Sequence, residues 1–188
     1  MRDLFRGALV RLTSESAEDI ARANTIWMRD SEFHRFADSE PMRLWSEKRQ
    51  REWAEKSIEK DPDDSYFRFG IRTLADDRLI GEIMLRIDWP RADGILGIAI
   101  GDRDYWGRGF GTDATDTLLR FAFHELNLRR VTLGTDTYNK RALRSYEKSG
   151  FRIEGTTRGE MLREHTRVNS VWMGILREEW QARQEGAR

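Results

Sequence analysis

The chain contains no cysteine, which excludes disulfides, thiolate metal sites and a cysteine nucleophile carrying an acyl group. Its three histidines, His34, His124 and His165, are scattered and lack zinc-site spacing, so no metal is expected. No window approaches the roughly 20 apolar residues that a membrane span needs, and the chain does not open on an apolar run of the secretory kind. A soluble, cytoplasmic protein with no membrane partner is the expectation. Charge excess is missing too. With 33 Lys plus Arg against 33 Asp plus Glu, no global field points to nucleic acid.

What is present is a chain of 188 residues, the size of one domain with a substantial core. Only 38% of it is hydrophobic, but 7 Trp and 9 Phe make that core aromatic and argue against disorder.

In order, residues 8–13 read as a strand. Ser14 or Ser16 caps a helix with Ile20, Ala23, Ile26 and Trp27 on one face, ending near Asp30-Ser31. Phe33 and Phe36 flank a loop that closes at Pro41. Ser46 caps a polar surface helix over 47–60, with Trp53, Ala54 and Ile58 on its apolar side. Alternation predicts a hairpin over 66–87, turning at Ala75 to Arg78, and then a buried strand over 95–100. A helix over about 111–126, a strand over 130–135, and a helix from Asn139 to a terminating Gly150 follow. Strands over 151–155 and 168–176 complete the order β-α-α-β-β-β-α-β-α-β-β, a mixed α/β sheet with helices on both faces, and the tail from Glu178 onward is a polar helix or frays.

The most informative stretch is Tyr105-Trp106-Gly107-Arg108-Gly109-Phe110-Gly111-Thr112, where an apolar strand runs into glycines at every second position and then into a helix. Glycines let a ligand's phosphates approach the backbone, and a helix N-terminus offers free N–H groups. A pyrophosphate cradle is one reading; a flexible turn is the other. A dinucleotide fingerprint would carry glycine where Thr112 stands, and a Walker loop would need Gly-Lys-Ser/Thr, which is absent.

Together with Asn139-x-x-Ala142-x-x-x-Tyr146-Glu147-Lys148-x-Gly150-Phe151, this stretch resembles the GNAT superfamily of acetyl-CoA-dependent N-acetyltransferases, nearest to its ribosomal-protein-alanine branch. The resemblance implies one GNAT-like domain over 1–188, with a central mixed sheet of six to seven strands splayed at the cofactor strand. Acetyl-CoA would enter between strands 95–100 and 130–135. The backbone of Ile98 and Ile100, flanking Ala99, would pair with the pantetheine arm. N–H groups from Arg108 to Thr112 (Arg108, Gly109, Phe110, Gly111, Thr112) would hold the pyrophosphate. Trp106, Gly107, Asn139, Arg141 and Ser145 complete the implied cofactor set, and Tyr146 would protonate the departing thiolate. A phenol near pKa 10 suits a thiol near about 8.5. With no cysteine, the implied reaction is direct attack by a primary amine in a ternary complex, with a backbone N–H of the splayed strand meeting the oxyanion.

The pattern departs from the family at the base. Many members carry a carboxylate just before the pair matched by Leu96-Gly97, where this chain has Ile95, preceded by the equally uncharged Gly94. Glu82 is the best side-chain substitute as a catalytic base acting through water, with His34 and His165 behind it, and the reading adopted is Tyr146 as acid with deprotonation by water rather than by a strong base. A Lys-like amine, pKa about 10.4, needs such a base far more than an α-amine at about 7.7–8.0.

The uncharged position also keeps open a reading as an acyl-CoA-binding sensor without transfer. The acceptor, a small-molecule or peptide amine, would be chosen by loops over 30–45, 88–94 and 156–168. Trp172 and Met173 would serve either a homodimer contact or the core.

Overall fold

The computed structural model describes residues 3–38, 40–59, 65–163 and 165–186, with the backbone alone at 58 and 59. Seven strands form one mixed sheet in the order β1-β2-β3-β4-β5-β7-β6. They are β1 (Val10–Thr13), β2 (Tyr66–Thr73), β3 (Leu79–Asp88), β4 (Asp93–Ile100), β5 (Arg130–Asp136), β6 (Arg152–Arg163) and β7 (Thr166–Leu176). All neighbours are antiparallel except β4 and β5, which run parallel.

One face of the sheet presents Ile83, Leu85, Leu96, Val131 and Leu133 to α4 (Phe110–Arg120), all nearly or fully buried with Leu118 and Leu119. Alternation along each strand puts these side chains on one face, and burying them is the main stabilising term. α4 continues as a π-helical turn over Phe121–Glu125, so the helix expected over 111–126 is present with its last turn widened. Two α4 side chains tie down the start of the chain. The Asp113 carboxylate accepts the N–H groups of Ala8, Leu9 and Val10, and Arg120 donates to the carbonyls of Leu4 and Arg6.

Helices α1 (Ala17–Trp27) and α3 (Glu47–Glu59) lie on the opposite face, where Asn24 of α1 meets Glu82 of β3 and Trp53 of α3 meets Arg68 of β2. Ser16 caps α1, as predicted, by accepting the Asp19 N–H. α3 was expected at the surface, and most of it is exposed, but it buries Gln50 and Ala54. The side chain of Ile58 and the expected helix end at 60 lie outside the described residues.

Two boundaries differ from the sequence reading. α1 stops at Trp27, and residues 31–37, read as loop, form a further helix, α2 (Ser31–Ala37). Asp30 starts this helix by accepting the N–H groups of Glu32 and Phe33, and Phe33 buries its ring beside Trp27. The segment 156–168, also read as loop, is strand, because β6 and β7 extend as a hairpin up to the Arg163–Thr166 pair. A register shift between Thr157 and Met161 accommodates Gly159 at φ 61°. Of the two readings of the tail, the helix is the one present: α6 (Arg177–Gly186), held by the buried Trp180 against Phe123. Gly150 ends α5 (Lys140–Lys148) at φ 96°, as expected of a glycine after a helix. No helix among the described residues is long and apolar enough to cross a membrane.

Candidate active site

The site begins where two strands part. β4 and β5 pair only at Asp93–Arg130, Gly94–Val131 and Ile95–Thr132, then continue apart to Ile100 and Asp136. On its other side, β4 pairs with β3 over its whole length. The Gly101 N–H donates to the Ile80 carbonyl at 2.9 Å. Antiparallel alternation from that bond turns the N–H and C=O of Ala99 toward β3, and those of Ile98 and Ile100 toward the gap. The result is an edge inside a sheet, with backbone groups facing a cleft of about 710 Å³. The Ile100 carbonyl already accepts the Trp106 indole N–H at 2.6 Å; nothing in the sequence signalled that bond.

Beyond β4 the chain turns through Gly107 and Gly109 at φ 71° and 91°, a region where side chains are rarely accommodated. Gly109 stands at the N-cap of α4 with no capping side chain. The Asp113 N–H donates to the Gly109 carbonyl, leaving the N–H groups of Phe110, Gly111 and Thr112 without intrahelical partners. A Cβ at Gly107 would meet nothing within 4 Å, so it is the open space of the cleft that the loop borders here. These uncapped donors fit an anion. Arg108 lies beside them, held by the Asp104 carbonyl at 2.9 Å and over the Tyr105 and Phe110 rings.

α5 forms the facing wall. Asn139 caps it through the Ala142 N–H at 3.2 Å and is itself buried. Ser145 and Thr112 share a hydroxyl hydrogen bond of 2.8 Å that ties α5 to α4. Arg141 stacks its guanidinium on Trp106, and among the described residues it has no carboxylate partner. Burial holds its pKa below the usual guanidinium value. A half-buried, unpaired cation beside uncapped helix N–H groups is a second feature that fits a phosphate.

Tyr146 closes the base of the cleft, 7% exposed, with its ring against Phe151. Its hydroxyl has no hydrogen-bond partner among the described residues. Burial pushes its pKa up to about 12, with Arg141 pulling the other way, so the phenol keeps its proton at neutral pH.

The structure therefore brings the sequence-selected Ile98, Ile100, Trp106, Gly107, Gly109, Gly111, Thr112, Asn139, Arg141, Ser145 and Tyr146 around one cleft. Ala99 lines it as well, through its side-chain face. Phe110 and Arg108 stand in the same turn. Glu82 is placed differently. Its partner across β3–β4 is Ala99, but its carboxylate is gripped by Arg68 in a two-point ion pair of 2.8 and 2.9 Å, with Asn24 alongside. His34 is buried in α2, and His165 is exposed at the β6–β7 turn at φ 64°. Three carboxylates that the sequence did not single out do line the cleft: Asp38, Asp136 and Glu160. Asp136 ends β5, beyond the point where β5 parts from β4, and no local sequence signal marks it.

Comparisons with known proteins bear on the family and the fold. A family model described as an acetyltransferase (GNAT) domain matches residues 6–152. The chain is 35% identical over 127 residues to the Probable N-acetyltransferase YjcK of Bacillus subtilis, covering 66% of this chain and 65% of that relative's own length, just under two thirds. It is 32% identical over 132 residues to the SPbeta prophage-derived uncharacterized N-acetyltransferase YokL of Bacillus subtilis, covering 70% of this chain and 71% of that one. Among solved structures, the spermidine N-acetyltransferase of Vibrio cholerae in complex with CoA and spermine superposes with a TM-score of 0.79 at 23% identity, covering 92% of this chain and 98% of that one. A GCN5-related N-acetyltransferase of Brucella melitensis gives 0.78 at 23% identity, covering 98% and 83%. At that identity the two structures speak for the fold alone.

Proposed function

Since the chain belongs to the GNAT acetyltransferase family, we propose that it is an acetyl-CoA-dependent N-acetyltransferase that acts on a primary amine, with residues 1–188 as one acetyltransferase domain. The observation that carries the reading is the parting of β4 from β5 beside an uncapped helix N-terminus. When bound there, acetyl-CoA would supply an acetyl group activated as a thioester.

The residues divide the work by chemistry. The N–H and C=O groups of Ile98 and the N–H of Ile100 form a strand edge for the amides of the pantetheine arm. The N–H groups of Phe110, Gly111 and Thr112, with Arg141 and Arg108, take the pyrophosphate. Asn139 keeps its amide nitrogen for the arm, because its oxygen caps α5. Tyr146 holds a proton at the base of the cleft for the sulfur. The same burial that raises the phenol disfavours a thiolate in that place, so the two groups move together and the proton transfer stays feasible.

The bidentate pairing of Glu82 with Arg68 favours deprotonation of the amine by water or by a carboxylate of the cleft itself. The likeness of the motif pair to the ribosomal-protein-alanine branch makes a protein α-amine one acceptor to try, and the Vibrio cholerae structure, whose name includes spermidine, makes a polyamine another. Replacement Tyr146→Phe tests the assignment: turnover falls by about a hundredfold while acetyl-CoA affinity stays unchanged. Full turnover in that variant removes the acid role.

A further inference from the structure

Resting on the transferase reading, the acceptor side of the cleft carries information of its own. Thr132 pairs with Ile95, so the β5 face bearing Thr132, Gly134 and Asp136 continues the β4 face bearing Ile95 and Gly97. Met84 stands opposite Gly97, and Trp172 stands opposite Gly134. Both glycines have a large side chain laid against them: a Cβ at Gly97 would come within 3.1 Å of Met84, and one at Gly134 within 3.1 Å of Trp172. The neighbours thus fill the space that side chains at 97 and 134 would occupy, and build a shelf.

That shelf is open. Met84, Ile95 and Trp172 are 38%, 52% and 43% exposed, three large apolar groups on one face of one cleft. Trp172 is held in place, because its indole N–H donates to the Thr157 hydroxyl at 3.0 Å. At the end of the same face stands Asp136. Its carboxylate accepts the Ser170 hydroxyl at 3.1 Å and also faces the Tyr138 phenol, both neutral partners, and it forms no ion pair with a cation among the described residues. Arg163, on the same wall, is engaged with the carbonyls of Arg35 and Asp38 and reaches Tyr138. A fixed anion without a counter-ion complements an ammonium, and an adjacent apolar shelf complements what the ammonium is attached to.

We propose that Asp136 and the shelf of Met84, Ile95 and Trp172 form the acceptor subsite, and that it takes a primary amine borne next to a bulky apolar group. A free arylalkyl amine and an N-terminal residue with a large apolar side chain share that chemistry. A polyamine, with cations along its length, would lay charge on Ile95 and Trp172. Asp136 binds the ammonium before transfer, and the shelf orders the neighbouring group.

The test uses the whole chain and two readouts. Phenethylamine, a Phe-initiated dipeptide, a Gly-initiated dipeptide and spermidine are compared by thiol release from acetyl-CoA, and by calorimetric binding to the protein saturated with CoA. The two apolar acceptors are expected to exceed the Gly dipeptide and spermidine by about tenfold or more in kcat/KM. The comparison between them tells the free amine from the N-terminus. Trp172→Ala raises KM for the two apolar acceptors and so narrows their preference over the Gly dipeptide. Asp136→Asn weakens every acceptor by about tenfold to a hundredfold with acetyl-CoA affinity unmoved. Spermidine or the Gly dipeptide preferred, or a preference indifferent to Trp172, overturns the subsite while leaving the transferase reading intact. Trp172-dependent binding of the apolar amines without thiol release supports the subsite and overturns the transferase reading.

Discussion

The guanidinium carbon of Arg141 lies 3.5 Å from the centroid of the Trp106 ring. Trp106 is fixed in turn by its bond to the Ile100 carbonyl, and it meets Phe36 of α2 edge-on. The stack aims a cation without a carboxylate partner into the cleft beside the α4 N-terminus. Arg141→Ala is expected to weaken acetyl-CoA binding by about tenfold or more. Arg141→Lys should recover little, because an ammonium neither stacks as a plane nor bonds a phosphate at two points. Calorimetric titration decides it; unchanged affinity in both variants would place the phosphates elsewhere.

The buried phenol makes a prediction about alkaline pH. Tyr146 is held at about 12 against an ordinary value of 10.0, so the folded protein keeps a proton that the unfolded chain loses first. Its contribution to stability is complete below 10.0 and is lost as pH rises toward 12. Denaturant unfolding across that window should show a decline that Tyr146→Phe reduces. An identical decline in the variant would assign it to other groups.

Glu82 and Arg68 are 15% and 14% exposed and joined at two points. Removing one charge leaves the other poorly solvated, so Glu82→Gln should cost about 1–3 kcal/mol in unfolding free energy. The pH–rate profile should keep its shape, because the carboxylate is committed to Arg68. A lost acid limb in this variant would instead give Glu82 the deprotonating role.

Features set by local backbone demands were legible in the sequence. Gly107 and Gly109 sit at positive φ, and Asn139 and Ser16 cap their helices through their own side chains. α2 was not legible, because a seven-residue helix is marginal by itself. It is held from outside, by Arg103 on Asp30 and Glu32 and by Trp106 on Phe36. The outer half of the β6–β7 hairpin was missed for a related reason. Thr156, Arg158 and Glu160 offer no buried apolar face, so no alternation marks a strand. Asp136 went unnoticed because nothing local distinguishes it; its position becomes informative only once β5 is seen to leave β4.

The anchor of α2 supplies a prediction at acid pH. Arg103 beside Asp30, with the N–H groups of Phe33 and Glu32, lowers the Asp30 carboxyl to about 2 from its ordinary 3.8. This contribution is complete above 3.8 and is lost as pH falls toward 2. Amide exchange in 31–37 should therefore be protected equally at neutral and mildly acid pH, once the intrinsic rate is allowed for. Asp30→Asn should raise it at both. Equal exchange in the variant would mean that α2 is held by its rings and the Arg103–Glu32 pair without Asp30.

The most direct test of transfer at the parted strands is the appearance of free CoA thiol when the purified protein meets acetyl-CoA and the amines named above. Thiol should accumulate only when protein and amine are both present, matched by an equal amount of acetylated amine. Acetyl-CoA that binds the protein but yields no thiol with any of these amines would contradict the account and leave a cofactor-binding domain without transfer.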